Sequence, residues 1–161
     1  MKKRLNLWGA IILTILLLGQ TLTAWGSEQE WYELHEIDIE SNTSAKLISQ
    51  EDIGIMPYTR YILGAQAIMK RPSTSVLWMR SEVYCNDTMS KITTTFTLQK
   101  KSGNSWVNVG KGTVSVTNDN SMYKSMEATG ASSGTYRCIA DTLVTSKTGY
   151  SETISTISNT V

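Results

Sequence analysis

The chain has one histidine, two cysteines, two prolines and one phenylalanine, and each scarcity removes a class of reading. The single histidine is His35, so from Ile55 onward there is none. A Ser-His-Asp or Cys-His constellation inside that stretch is excluded, because both need an imidazole as general base. His35 could serve only if the segment carrying it docked on the rest. Two cysteines and one histidine also fall short of the four ligands of a structural zinc site. Asn118-Asp119-Asn120-Ser121 and Asn86-Asp87-Thr88 are oxygen-rich, but neither has the acid count of a dedicated calcium site, and such residues are common in turns. There is no phosphate loop and no dinucleotide fingerprint. The expectation is a protein without cofactor or metal.

Long apolar runs are equally scarce, and the one present is at the start. Met1-Lys2-Lys3-Arg4 is a positive n-region, and LWGAIILTILLLG from Leu7 to Gly19 is uncharged. That length suits the core of an export signal and falls short of the roughly 20 residues of a membrane span. Ala24-Trp25-Gly26 supplies small residues at −3 and −1, which predicts cleavage before Ser27. The alternative is an uncleaved signal anchor, the only membrane association this sequence offers. No cysteine closes the apolar run, so a lipoprotein anchor is not expected, and the mature chain reads as secreted and extracellular. Its two glycosylation sequons, Asn42-Thr43-Ser44 and Asn86-Asp87-Thr88, matter only in a eukaryotic host.

The net charge of +1 hides an asymmetry. Between Ser27 and Gly54 stand Glu28, Glu30, Glu33, Glu36, Asp38, Glu40, Glu51 and Asp52 against Lys46 alone. Beyond Ile55 the balance is mildly basic and dispersed, which argues against nucleic acid as a partner. Residues 27–57 read as an acidic flexible arm, with a short ordered piece around Trp31 and Tyr32. The alternative is a peptide that docks back on the basic domain.

From Tyr58 to the end, residues 58–161, threonine, serine, valine and aromatics dominate in short alternating runs. Eight strands are expected: Tyr61 to Lys70, Ser75 to Cys85, Lys91 to Lys100, Trp106 to Val109, Thr113 to Thr117, Met122 to Ala128, Thr135 to Thr145 and Tyr150 to Ser158. Leu77, Met79, Val83 and Cys85 share one face of the second, and Trp78, Arg80, Glu82 and Tyr84 the other. In the third, Ile92, Thr94, Phe96 and Leu98 face one way. In the seventh, Tyr136, Cys138, Ala140, Thr142 and Val144 point inward. Gly103-Asn104 marks a hairpin, while Asn86-Asp87 and Asn118-Asp119-Asn120 read as further turns. The pattern predicts an all-β antiparallel sandwich.

Cys85 and Cys138 are the only cysteines, and in an exported chain an even count favours a disulfide, worth about 4 kcal/mol for a loop of this size. Two buried thiols are the alternative. Tyr136-Arg137-Cys138 after Ser133-Gly134, with Phe96 eleven residues beyond Cys85, resembles the immunoglobulin pattern of a tyrosine corner and a core aromatic, although Phe replaces Trp and no Asp-x-Gly precedes Tyr136. The layout also resembles a family of small secreted proteins of Gram-positive bacteria, through Thr97-Leu98-Gln99-Lys100, Asn104-Ser105-Trp106-Val107 and Gly134-Thr135-Tyr136-Arg137. That resemblance implies export and an immunoglobulin-like β-sandwich; the family has no known function and no catalytic residues to carry over.

Function must therefore come from surface. Trp78 and Tyr84 form an aromatic platform if their face is open, or pack beneath a loop or the arm. Trp31 and Tyr32 are the other candidates for a partner site, whereas Phe96, Trp106 and Tyr136 read as structural. Glu82, Glu127, Asp141 and Glu152 could supply a carboxylate pair for glycoside hydrolysis, but no spacing singles one out. The leading expectation is a non-enzymatic module that binds an extracellular protein or glycan. The alternatives are a self-assembling structural subunit and, more remotely, a carboxylate hydrolase.

Overall fold

Alternation of apolar and polar residues carries most of the domain into strands. The computed structural model describes residues 30–38 and 59–161; the expected export signal and cleavage site, within residues 1–29, and residues 39–58 lie outside the described residues. Six strands follow in chain order: β1 (Tyr32–Ile37), β2 (Ile62–Ser73), β3 (Val76–Ser102), β4 (Ser105–Thr129), β5 (Tyr136–Thr145) and β6 (Ser151–Ile157). They form one sheet in the order β1-β4-β3-β5-β6, with β2 also on β3. Every pairing among β2 to β6 is antiparallel, whereas β1 starts parallel to β4 and then runs antiparallel to its second half. No helix among the described residues is long and apolar enough to cross a membrane.

β3 and β4 absorb five of the eight expected strands. Asn86-Asp87 and Asn118-Asp119-Asn120 do not end their strands. They lie where the β3–β4 ladder skips from the Tyr84–Ser121 pair to the Met89–Asp119 pair. Asn118 takes a φ of 55°, Thr88 N–H donates to Asp87 Oδ1 at 2.6 Å, and Ser121 N–H donates to Asp119 Oδ1 at 3.1 Å. The turn chemistry bends two paired strands together at a bulge instead of ending them. Reversal occurs at Gly103-Asn104, where Ser102 pairs with Ser105 and Gly103 has a φ of 59°.

The bend folds the sheet into two layers. β2, the first half of β3 and the second half of β4 make one; the first half of β4, the second half of β3, β5 and β6 make the other. Ser81 and Thr94 would be about 40 Å apart on a straight strand. Their hydroxyls are 3.4 Å apart, so β3 doubles back across the core. Thr94 Oγ1 also bonds Thr142 Oγ1 at 2.6 Å, which satisfies these buried hydroxyls. Leu77, Met79 and Val83 from one layer meet Ile92, Phe96, Leu98, Tyr136, Ala140 and Val144 from the other in a single cluster, all buried. The chain is an all-β antiparallel sandwich.

The ordered piece expected around Trp31 and Tyr32 extends further along the arm, because Tyr32–Ile37 form β1 within the unit that spans Trp31–Val161. Tyr32 and Glu33 pair with Gly110 and Lys111, and Leu34 to Ile37 then run against Ala128 back to Ser125. β1 thus bridges both halves of β4 and closes one side of the sandwich. Lys124 Nζ reaches Glu36 Oε1 at 2.6 Å and Asp38 Oδ1 at 3.7 Å, and Glu36 above all raises the pKa of this lysine. On the other side, the backbone N–H groups of Arg60, Tyr61 and Ile62 donate to the Glu152 carboxylate. The Asn159 amide accepts from Met69 N–H at 3.0 Å and donates to Met69 C=O at 2.9 Å. Side chains here do the work of a missing ladder along β2.

The expected Cys85–Cys138 disulfide is absent: both thiols are free and buried. The bend explains why. Cys85 lies four residues from Ser81 towards the bend, and Cys138 pairs with Leu98, four residues from Thr94 in the other direction. The two cysteines therefore sit on opposite sides of the Ser81–Thr94 contact, each about 13 Å along its strand. A disulfide needs Cα atoms within about 7 Å. Burial pushes the Cys85 thiol up to about 11 and Cys138 to about 12, from an ordinary 9.0, with Glu152 and Asp141 adding smaller pushes.

Two outcomes follow from these thiols. Without reductant, iodoacetamide at pH 7.5 should leave both unmodified in the native chain and label both in urea; two blocked cysteines in urea would restore the disulfide. A thiol pKa raised on folding contributes stability that is full below about 9 and is lost as pH climbs towards 11 to 12. A Cys85→Ala/Cys138→Ala variant should lose less stability across that window than the parent, as read from urea midpoints.

Candidate functional site

The outer face of the first layer carries the side chains that alternate with its core. Across β2, β3 and β4 the register stacks Gly64, Tyr84 and Ser121 in one row, Gln66, Glu82 and Tyr123 in the next, then Ile68, Arg80 and Ser125, then Lys70, Trp78 and Glu127. Tyr84 and Tyr123 meet edge to face, with centroids 5.3 Å apart and planes at 85°. Tyr123 Oη donates to Tyr84 Oη. Tyr123 is 45% exposed and Tyr84 is partly so. Partial burial, the bond from Tyr123 and the nearby Glu82 charge raise the pKa of Tyr84, in that order. The Tyr84 phenol stays neutral at physiological pH. With only Gly64 and Ser121 beside it in its row, Tyr84 has no bulky neighbour there.

Trp78 is on the same face but is no platform. It is buried, with Lys70 Nζ and Arg80 Cζ at 5.4 and 5.5 Å from the ring centroid. Arg80 pairs with Glu82, which is itself buried. The reading of Trp78 as an open binding aromatic is corrected: neighbouring cations cover its ring. Tyr32 is corrected too. It is buried, its ring lies edge-on to Tyr136 at 6.3 Å, and its hydroxyl accepts from Ser132 N–H at 3.0 Å. Trp31 is 55% exposed just before β1. Phe96 and Tyr136 are core residues, and Trp106 is half-buried beneath Arg137, whose guanidinium lies 4.3 Å from its ring centroid. Tyr136 Oη donates to Ser132 C=O at 3.1 Å, the contact a tyrosine corner makes.

The candidate carboxylates are dispersed. Glu82 and Glu127 share a face, but Trp78 pairs with Glu127, so four strand residues, about 13 Å, separate the two acids. Asp141 is on the outside of the second layer and accepts from Ser155 Oγ at 2.6 Å; Glu152 binds the backbone of residues 60–62. His35 is exposed on β1 with Glu33 at 4.0 Å. No group of three or more His, Cys, Asp or Glu among the described residues could hold a metal.

Tyr123 escaped the sequence reading. Alternation with the buried Met122 and Met126 marked it as outward, but its place beside Tyr84 depends on the bulge at the bend.

No family model and no curated protein matches the chain. Among solved structures it is similar to ACE19, the collagen-binding subdomain of the Enterococcus faecalis surface protein ACE. That likeness has 10% identity and a TM-score of 0.35, over 65% of this chain and 99% of that one.

Proposed function

We propose that this chain is a secreted, non-enzymatic binding module that holds an extracellular protein or glycan on the outer face of its first layer, with Tyr84 and Tyr123 as anchors. The observation that carries this is the exposed perpendicular tyrosine pair on a face whose other large members are tied up among themselves. Rigid aromatics with polar tips give contact area at low entropic cost and are typical anchors of recognition surfaces. The export signal read from Met1 to Gly26 supports the location. The dispersed carboxylates favour binding over hydrolysis, and Glu152 and Asn159 on the outer edge of β2 count against edge-strand assembly there.

A panel of soluble glycans and extracellular matrix proteins, titrated by biolayer interferometry, tests this. One of them should bind saturably, and Tyr84→Ala/Tyr123→Ala should weaken it about thirtyfold, the ~2 kcal/mol of a hot spot. The urea midpoint should move little, since both rings are partly in water. Equal affinity in the double variant, or a panel in which nothing binds, overturns the proposal.

A further inference from the structure

A second cluster lies where the chain enters β2, and its geometry is that of an oxyanion site. Arg60 is exposed, yet its main chain is held on both sides. Its N–H donates to Glu152 Oε1 at 2.5 Å, and its C=O accepts from Asn86 Nδ2 at 2.8 Å. Those partners are 92 and 26 residues away in sequence. The side chain is placed as firmly. Its guanidinium carbon lies 5.2 Å from the Tyr61 ring centroid and 5.5 Å from that of Tyr150, and the two rings are 5.8 Å apart. The three groups form a near-equilateral cluster in which the guanidinium caps a tyrosine pair.

Among the described residues this cation has no counter-ion: no carboxylate there is in ion-pair contact with Arg60. Glu152 already accepts from the N–H groups of Arg60, Tyr61 and Ile62. A surface arginine usually stays loose in water. One tethered at its backbone and stacked on two rings has given up that freedom in advance, which lowers the cost of binding. Ring contact also leaves the in-plane N–H donors free, and their fork matches a carboxylate.

We propose that Arg60, Tyr61 and Tyr150 form a binding site for an acidic sugar, with the uronate carboxylate on the Arg60 fork and the sugar ring against Tyr150. The aromatic contribution decides for a sugar over an acidic peptide. Tyr150 is 47% exposed beside the cation, so a ring fused to the carboxylate can stack where a flexible glutamate has nothing flat to offer. This site uses other side chains than the Tyr84–Tyr123 pair and does not depend on its partner.

Isothermal titration of the secreted chain with trigalacturonate tests it, with neutral chitotriose and hexaglutamate as comparisons. Trigalacturonate should bind saturably and more tightly than either, and more weakly as salt is raised. Arg60→Gln should weaken it at least tenfold, as should Tyr150→Ala. Arg60→Lys, which keeps the charge but not the fork, should also weaken it, and it serves as the second variant if Arg60→Gln folds poorly. Tyr84→Ala/Tyr123→Ala should bind it as the parent does. Absence of saturable binding, parental affinity in Arg60→Gln, or hexaglutamate binding as tightly overturns the site. If only the Tyr84/Tyr123 variant loses the sugar, this site fails while the proposed binding face stands.

Discussion

Tyr136→Ala should cost about 4 kcal/mol, a large share of the stability of a domain this size, and Tyr136→Phe about 1. Tyr136 is the largest fully buried side chain, and its ring packs against Tyr32 and under Arg71 and Lys100. Removing it opens a cavity where β1, β3 and β5 converge. The hydroxyl is a smaller and separate matter. It donates to Ser132 C=O at 3.1 Å and contacts Tyr32 Oη at 3.2 Å and Ser132 Oγ at 3.1 Å. Lys100 Nζ donates to the same Ser132 Oγ at 2.5 Å. Phe would strand none of these partners, because Ser132 C=O still accepts from Arg71 Nη2 at 2.7 Å, Ser132 Oγ from Lys100 Nζ and Tyr32 Oη from Ser132 N–H, so the cost is that of a net hydrogen bond. Urea unfolding of both variants separates packing from polar loss. Equal midpoints for Tyr136→Phe and the parent would mean the hydroxyl network contributes nothing.

Gly110→Val should detach β1 and cost about 3 kcal/mol. A Cβ on Gly110 would stand 2.9 Å from the Tyr32 carbonyl oxygen and 3.3 Å from Leu34 Cδ2. The first is backbone and cannot rotate away, so the strand itself must move. Tyr32 then leaves the core, and the cost is chiefly its lost burial. Hydrogen exchange reads this directly: amides of residues 32–37 should lose protection while those of β3 and β5 keep it. Undiminished protection there would show that β1 is held by something other than its close approach at Gly110. Gly112 repeats the design less stringently, since its Cβ would meet the movable end of Met126 at 2.5 Å and Leu34 Cβ at 3.0 Å.

Local pattern carried much of the architecture. Strands have a period of two, so Ile92, Phe96 and Leu98, or Tyr136, Cys138 and Ala140, could be assigned to one face without knowing what they would meet. All six are buried as that period requires. The Gly103-Asn104 hairpin was legible for the same reason: a tight reversal needs a residue that tolerates positive φ. The candidate site was half legible. Tyr84 and its outward direction follow from alternation, but Tyr123 joins it only because β4 is paired to β3 in one particular register.

The sequence by itself determined the all-β class, the inward faces of the strands and the alternation that sends Tyr84 to the surface, because these depend on neighbours one or two residues away. Only the tertiary structure decided whether Asn86-Asp87 and Asn118-Asp119-Asn120 end a strand or bend it, since the same turn chemistry serves both and the paired strand selects between them. From that one bend the rest follows. It sets Cys85 and Cys138 on opposite sides of the Ser81–Thr94 contact, and it brings the two halves of β4 to either flank of β1, so that Tyr32 is drawn into the core. Contacts between residues distant in the chain carry no local signal, and here they decide which aromatics hold the fold and which stay at the surface.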